Sequence, residues 1–235
     1  AMSKILSDGD RVAYRCAYSN EDTPEDLDDQ IDDMISHIQS RTVNLFNRGK
    51  TQVFLTGPTN FRNEVATVAP YKGHRSKEKP TYLGDARRYL ISNYNASLSD
   101  NQEADDDIAI TAASSDYSCI VASIDKDFLQ LPCQHYNWNH DTLVTQSQED
   151  ATKFFYTQLL TGDTADNIKG AKGIGEKKAA KLLSDVTDEC ELYDLCLGDG
   201  GYKGDADLLL ENARLLWLRR YEGQMWEPPK EIEVK

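Results

Sequence analysis

The chain has 235 residues, of which 39% are hydrophobic, and it carries a formal net charge of −14 at pH 7. A chain of this length is expected to bury one sizeable core, or one core with a small appended lobe. The sequence excludes a membrane-spanning protein, because no apolar run approaches the roughly 20 residues that a helix needs to cross a bilayer. It shows no basic-then-apolar leader, so we expect a cytoplasmic protein. The five cysteines form no Cys-x-x-Cys pair, which favours reduced thiols over a zinc site.

Two basic segments interrupt the acidic average. Residues 71–88 hold six Lys or Arg against two acids, and residues 169–181 hold five Lys against one acid. Basic patches on an acidic body can hold a phosphate chain while the rest of the surface repels it. Solvated helix faces explain such charge runs equally well, so charge alone leaves both interpretations open.

The first predicted elements alternate between strand and helix. An apolar strand is expected over Lys4–Ser7, and a helix then starts with Thr23 as its N-cap and Pro24 in its first position, and ends at Gly49. The β-rich run Thr51–Thr56 predicts a second strand.

The later predicted elements are mostly helices. Around a buried strand at 118–124, helical patterns are expected at 81–94, 103–113, 147–160, 176–183, 188–197 and 205–220. Strands that alternate with helices imply a mostly parallel sheet. We therefore predict an α/β protein in which a mostly parallel central sheet is flanked by helices over residues 1–146, with a C-terminal helical lobe over residues 147–235.

Carboxylates cluster at four places along the chain. The groups are Asp8 and Asp10; Glu103, Asp105, Asp106 and Asp107; Asp125 and Asp127; and Asp163 and Asp166. In a parallel sheet, residues beyond the carboxyl ends of strands and at the following helix N-termini converge on one crevice. The first three groups are therefore expected to meet.

Clustered carboxylates of this kind need cations, because like charges disfavour each other's ionised form. Mg²⁺ or Mn²⁺ suits them, since both ions prefer oxygen ligands in octahedral geometry. Two such ions roughly 4 Å apart stabilise the attacking and leaving oxygens of a phosphodiester. Each acidic group taken singly is explained as well by a turn or by a helix N-terminus.

A glycine-broken, lysine-rich turn lies between Gly170 and Lys181, directly after the last acidic pair. Its glycines expose successive N–H groups, and the following helix N-terminus carries partial positive charge, so the turn suits a phosphate backbone. A plain helical hairpin is the alternative. A metal site beside a phosphate site indicates a protein that acts on nucleic acid.

Five motifs occur in a fixed order along residues 4–197. They are Ser-Asp-Gly-Asp at Ser7–Asp10, Tyr-Lys-Gly-His-Arg at Tyr71–Arg75, Glu-Ala-Asp-Asp at Glu103–Asp106, Ser-Ile-Asp-Lys-Asp-Phe at Ser123–Phe128, and the glycine-rich run Gly162–Gly175. In this order they resemble the flap endonuclease / 5′→3′ exonuclease superfamily, in particular its bacteriophage members and the 5′-nuclease domain of bacterial DNA polymerase I.

The resemblance implies a role for each group of motif residues. A first metal ion is served by Asp8, Glu103, Asp105 and Asp106, and a second by Asp125, Asp127, Asp163 and Asp166. Lys72 and Arg75 are placed against the scissile phosphate, where cations offset the charge that develops in the transition state.

The glycine-rich turn resembles the helix–three-turn–helix of this superfamily, which holds the duplex part of the substrate. In this interpretation Gly173 and Gly175 let backbone amides approach phosphates, and Lys172, Lys177 and Lys178 add charge without reading sequence. The resemblance also implies a K⁺ ion at this turn.

Relatives usually carry another metal-binding aspartate after the second strand, where this chain has Gly57. We therefore expect the first metal to be one carboxylate short, with water or Asp10 as a substitute.

The resemblance implies a 5′→3′ exodeoxyribonuclease or flap endonuclease of phage type, with a PIN-like nuclease core and a helical lobe that share one active site. We expect a stand-alone, monomeric enzyme that uses two metal ions to cut the 5′ ends, flaps, nicks or branches of DNA, with RNA/DNA hybrids as a further class of substrate. Two alternatives stay open. One is a branched-DNA-binding protein with little or no catalysis, and the other is a PIN-type ribonuclease.

Overall fold

The computed structural model describes residues 4–42, 51–76 and 78–231. The strands are β1 Lys4–Asp8, β2 Thr51–Leu55, β3 Ser97–Leu98, β4 Cys119–Ala122, β5 Gln134–Asn137, β6 Thr142–Thr145, β7 Gly162–Asp163 and β8 Ile168–Lys169. The helices are α1 Gly9–Ser19, α2 Leu27–Thr42, α3 Arg62–Val65, α4 Leu83–Tyr94, α5 Ala104–Ser114, α6 Gln148–Thr161, α7 Glu176–Leu183, α8 Glu189–Leu197 and α9 Ala206–Leu216. Of the helices in this described part, none combines the length and the apolar composition needed to cross a membrane.

The chain forms two compact units. Unit 1 comprises Ala1–Asn60, Ser76–Gln146 and Arg220–Glu222, and unit 2 comprises Phe61–Arg75, Ser147–Arg219 and Gly223–Lys235. Residues 61–75, which the sequence places with the first domain, thus lie in unit 2. The reason is that the buried guanidinium of Arg62 donates to the carbonyl oxygens of Leu215 and Trp217, both at 2.9 Å.

Unit 1 is built on a six-stranded sheet with the order β3-β2-β1-β4-β5-β6. Every pair of neighbours is parallel except β5 and β6, so the predicted, mostly parallel α/β sheet is confirmed. Helices α1, α2 and α4 cover one face, where Val12, Ile31 and Leu90 share a buried core with Ile5 and Leu55. Helix α5 packs against β1 and β2.

Three features of unit 1 differ from the sequence prediction. Helix α1 was not predicted, because Asp8-Gly9-Asp10 reads as a turn; Asp8 is instead the N-cap of α1. The hairpin of β5 and β6 was also missed. Thr23 precedes a short 3₁₀ segment without a side-chain cap, and α2 starts at Leu27. The predicted continuation of α2 to Gly49 lies outside the described residues.

Unit 2 is mainly helical and packs around α6. Phe155, Tyr156 and Leu159 of this helix share a buried core with Leu183 of α7 and Leu209 of α9. The predicted helix starts are confirmed by side-chain caps, with Ser147, Asp188 and Asp205 each accepting a hydrogen bond from a backbone N–H of the first turn. The predicted all-helical lobe is interrupted by the short antiparallel pair β7–β8.

Candidate functional site

The carboxyl ends of β1 and β4 lie side by side in unit 1. Ser7 is paired with Ala122 in the parallel register, so Asp8 lies next to the segment that follows β4. Asp8 is only 1% exposed, and its Oδ2 accepts a hydrogen bond from the Ser123 hydroxyl at 2.8 Å. The Ser123 hydroxyl oxygen also accepts a hydrogen bond from the Asp125 N–H at 3.0 Å. One serine therefore joins the first acidic group to the third.

The chemistry of Asp8 suits a bound cation. Burial and the charge of Asp10 raise the pKa of Asp8 to about 7, although the Ser123 hydrogen bond and the charge of Arg11 act in the opposite direction. The metal-free carboxyl group is thus only partly ionised near neutral pH. A divalent cation favours the ionised form and prefers oxygen ligands, so this buried carboxylate fits such an ion.

The start of α5 supplies the second acidic group. Glu103 is the N-cap of α5, and the Asp106 carboxylate accepts a hydrogen bond from the Glu103 N–H at 3.0 Å; both side chains are buried. The Thr56 hydroxyl accepts a hydrogen bond from the first N–H of the helix at 3.0 Å, which holds the start of α5 at the end of β2. The charge of Asp105 acts on Arg11. The sheet thus brings the α5 acids to the same edge as Asp8.

Asp125 and Asp127 follow β4. Asp125 Oδ1 accepts a hydrogen bond from the Asp127 N–H at 3.0 Å, and its Oδ2 accepts one from the Arg11 guanidinium at 2.9 Å. The Asp125 carboxylate is therefore fixed by two donors, while the Asp127 side chain is half-buried.

Asp10 holds the end of β2 in place. Its carboxylate accepts hydrogen bonds from the Thr56 N–H at 3.1 Å, from the Thr56 hydroxyl and from the Arg87 guanidinium at 2.9 Å. These contacts offset its charge within unit 1, so Asp10 is a structural acid of the sheet edge.

Gly57 lies where no side chain fits. A Cβ atom built on Gly57 would lie 2.0 Å from the carbonyl oxygen of Ser99, far inside van der Waals contact. The Gly57 N–H also donates to the Ser99 hydroxyl at 2.9 Å. At the position where relatives usually carry an aspartate, the Ser99 backbone therefore lies too close to Gly57 for any side chain to fit.

Unit 2 carries the fourth acidic pair, and both side chains are buried. Asp163 ends β7, where its Oδ1 accepts a hydrogen bond from the Ala165 N–H at 2.9 Å and its Oδ2 accepts one from the Gln158 amide at 3.4 Å. Asp166 ends the short 3₁₀ segment that follows. The Asp163 carboxylate is thus held by donors from the adjacent turn and from α6.

Lys72 and Arg75 contact Asp166 within unit 2. Arg75 forms an ion pair with Asp166 Oδ1 at 2.8 Å, and Lys72 Nζ lies 3.9 Å from the same oxygen. The backbone locks this arrangement, because the Lys72 N–H donates to the Asp166 carbonyl at 3.0 Å and Arg75 Nε donates to the Ala165 carbonyl at 2.8 Å. The Tyr71 hydroxyl adds a contact of 3.4 Å to Asp166 Oδ2.

The glycine-rich turn before α7 is open to solvent. Gly173 has φ of 77°, and no atom lies within 4 Å of a Cβ built on Gly173 or on Gly175. Lys172, Lys177 and Lys178 are exposed, and Lys178 Nζ donates to the Gly173 carbonyl at 3.2 Å. The backbone and the lysines are thus accessible to a large ligand.

Several residues that contact the predicted acids were not predicted, among them Ser123, Tyr71 and Arg11. Ser123 and Tyr71 lie inside the quoted motifs, so their position in the motif was an available signal. Arg11 offered none, because its partner Asp125 is 114 residues away in the sequence.

The chain is similar to several nucleases of known name. It is 32% identical over 143 residues to a flap endonuclease Xni of Shewanella piezotolerans. The aligned region covers 53% of this chain and 56% of the relative. It is also 31% identical over 140 residues to a 5′-3′ exonuclease of Mycoplasmopsis pulmonis, and this aligned region covers 53% of this chain and 47% of the relative. The chain therefore spans about half the length of these relatives. No protein-family model matches the chain.

Among solved structures, the bacteriophage T5 D15 flap endonuclease in a pseudo-enzyme-product complex with DNA and metal ions matches with a TM-score of 0.69 and 20% identity. The match covers 91% of this chain and 88% of the T5 chain, which establishes a shared fold. The sequence similarity to the named flap endonuclease and 5′-3′ exonuclease confirms the resemblance to the flap endonuclease / 5′→3′ exonuclease superfamily. A T5 5′-exonuclease structure with bound zinc matches this chain equally well, with a TM-score of 0.68 and 20% identity over 91% of this chain and 89% of that chain.

Proposed function

We propose that the chain is a metal-dependent 5′ nuclease that hydrolyses phosphodiesters at the 5′ ends or 5′ flaps of DNA. The observation that carries the proposal is the contact of Arg75 and Lys72 with the buried Asp166, at 2.8 Å and 3.9 Å. These residues come from two motifs that are about 90 positions apart in the sequence. The resemblance implies that the first motif contacts the scissile phosphate and that Asp166 of the second holds a metal ion. The names of the similar flap endonuclease and exonuclease support the same activity.

Divalent cations are the proposed cofactors. The donors available are carboxylates, several of them buried, and the raised pKa of Asp8 indicates a carboxyl group whose ionised form a nearby cation would favour. Mg²⁺ or Mn²⁺ fits this donor set, with two ions as the proposed number. Asp8, Glu103, Asp105 and Asp106 would hold one, and Asp125, Asp127, Asp163 and Asp166 the other. A bound cation supplies Lewis-acid stabilisation of charge on the phosphate. We also propose a K⁺ ion at the turn before α7, as the resemblance implies.

Arg75 and Lys72 are proposed to bind the phosphate at the cut bond. A guanidinium binds two oxygens at once and an ammonium acts as a compact charge, so the pair stabilises negative charge that grows in the transition state. Asp166 holds the Arg75 and Lys72 side chains in place before DNA binds. This lowers the entropic cost of placing these two side chains against the phosphate.

The open turn at Gly173 and Gly175 is proposed to hold the duplex. Exposed N–H groups and the lysines of α7 contact phosphates without reading bases, so binding is independent of sequence.

The direct test is a 5′-labelled flap substrate. We expect the flap to be cut in Mg²⁺ and to stay intact with EDTA, and the length of the products separates stepwise removal of nucleotides from cleavage at the junction. Binding of the flap without any cutting in Mg²⁺ or Mn²⁺ would favour the branched-DNA-binding alternative. Cutting of single-stranded RNA alone would favour the ribonuclease.

Replacement of Lys177 and Lys178 by Ala tests the duplex contact. We expect weaker binding to every duplex sequence alike, and a salt dependence whose log–log slope is smaller by about 2, because two phosphate contacts are lost. Fluorescence anisotropy over a range of salt concentrations measures both effects. The matched control replaces Lys153 and Lys230 in the same unit, and it should leave the slope unchanged. A loss confined to some sequences would contradict a backbone-only role.

A further inference from the structure

The first turn of α1 carries a cation where the helix itself disfavours one. Arg11 is the third residue of α1, and the N-terminus of a helix carries partial positive charge. Burial lowers the pKa of Arg11, but the charges of Asp125, Asp8 and Asp105 outweigh burial and raise it. The acidic cluster therefore holds Arg11 in place, and Arg11 offsets part of the charge of the cluster.

The contact of Arg11 with this cluster is direct. Its guanidinium lies 2.9 Å from Asp125 Oδ2, and the Arg11 side chain stays 44% exposed while that of Asp125 is 13% exposed. The pair uses one of the five N–H donors of the guanidinium, so the remaining donors suit a further oxyanion. Asp125 Oδ1 is already bonded to the Asp127 N–H at 3.0 Å, so Arg11 and a metal ion would have to share the same carboxylate.

We propose that Arg11 is a built-in counter-ion, which competes with a divalent cation for Asp125 and binds a phosphate oxygen of DNA once the cation is bound. This inference rests on the proposed function. A divalent cation on Asp125 repels the guanidinium beside it, and a phosphate of the substrate offers the displaced guanidinium a new anionic partner.

The competition couples metal binding to DNA binding. Because coupling between two ligands is reciprocal, DNA that binds Arg11 should raise the affinity of the cluster for the cation, and the cation should raise the affinity for DNA. The affinity of the cluster for the cation should therefore be lower in the DNA-free protein than in the DNA complex.

Calorimetric titration of the full chain with Mn²⁺ in the absence of DNA tests the competition. Arg11→Gln keeps a long polar side chain and removes the charge, and we expect it to bind Mn²⁺ about five-fold more tightly than the wild type. Arg15→Ala is the matched control, because Arg15 lies one turn later, donates to Asn139 at 3.2 Å and packs over Trp138. It should leave the Mn²⁺ affinity unchanged.

Anisotropy with a labelled flap in Ca²⁺ tests the phosphate contact. Arg11→Gln should weaken flap binding about ten-fold, and Arg11→Lys should recover part of the loss because it keeps the charge. Should Arg11→Gln fail to fold, Arg11→Lys should still bind the flap more weakly than the wild type. Unchanged Mn²⁺ affinity or unchanged flap affinity in the charge-removing variant overturns the inference. A wild-type chain that binds no Mn²⁺ would instead overturn the proposed function.

Discussion

Asp8→Asn is expected to slow flap cleavage by about a thousandfold while leaving the fold intact. Asp8 lies at the end of β1, and among the predicted metal ligands only Asp106 of α5 is more buried. A divalent cation needs the ionised form of Asp8. Asparagine has the same shape and can still accept the N–H of Arg11 and bond to Ser123, so the start of α1 is preserved. The variant removes the charge and little else.

Single-turnover cleavage in Mg²⁺ measures this loss, and thermal unfolding of the metal-free protein measures the fold. Because burial and Asp10 raise the pKa of Asp8, a neutral asparagine should leave the metal-free protein at least as stable as the wild type at pH 8. The matched control is Asp26→Asn, which changes an exposed acid of the same unit and should cut normally. A variant that cuts at the wild-type rate would refute the assignment of Asp8 to a metal ion.

Gly57→Asp is expected to destabilise the protein by about 3 kcal/mol, although it restores the acid that relatives usually carry. The cause is the Cβ atom, which would lie 2.0 Å from the backbone carbonyl oxygen of Ser99. A backbone atom cannot turn away as a flexible side chain can, so the end of β2 or the loop after β3 must shift. That shift also breaks the hydrogen bond from the Gly57 N–H to the Ser99 hydroxyl.

Urea unfolding of three variants separates the clash from the charge. Gly57→Ala should lose nearly as much stability as Gly57→Asp, because both add the same Cβ. Gly84→Ala in α4 is the control, since its Cβ would meet only the end of the Arg88 side chain at 3.3 Å. It should be as stable as the wild type or slightly more stable. A Gly57→Asp protein of wild-type stability that binds Mn²⁺ more tightly would contradict this account.

The sequence predicted most elements whose signals are local. The helices predicted to begin at Ser147, Asp188 and Asp205 start there, and each residue is a side-chain cap, because a side-chain oxygen three residues before a backbone N–H is a local arrangement. Helix α1 was missed for the opposite reason. Gly9 reads as a turn residue, but its Cβ would lie 2.5 Å from the carbonyl oxygen of Phe54, so the glycine serves helix–strand packing.

By itself the sequence determined the family resemblance, the mostly parallel sheet and the acids that gather at the ends of β1 and β4, because motif order and strand–helix alternation are properties of the chain. Only the tertiary structure decided which groups touch. In the folded protein Arg11 forms an ion pair with Asp125, and Arg75 and Lys72 contact Asp166. Asp10 binds Thr56 and Arg87, and the Ser99 backbone leaves no room for a side chain at Gly57. Each of these contacts joins residues that are more than 40 positions apart, and their geometry depends on how the elements pack rather than on any local pattern.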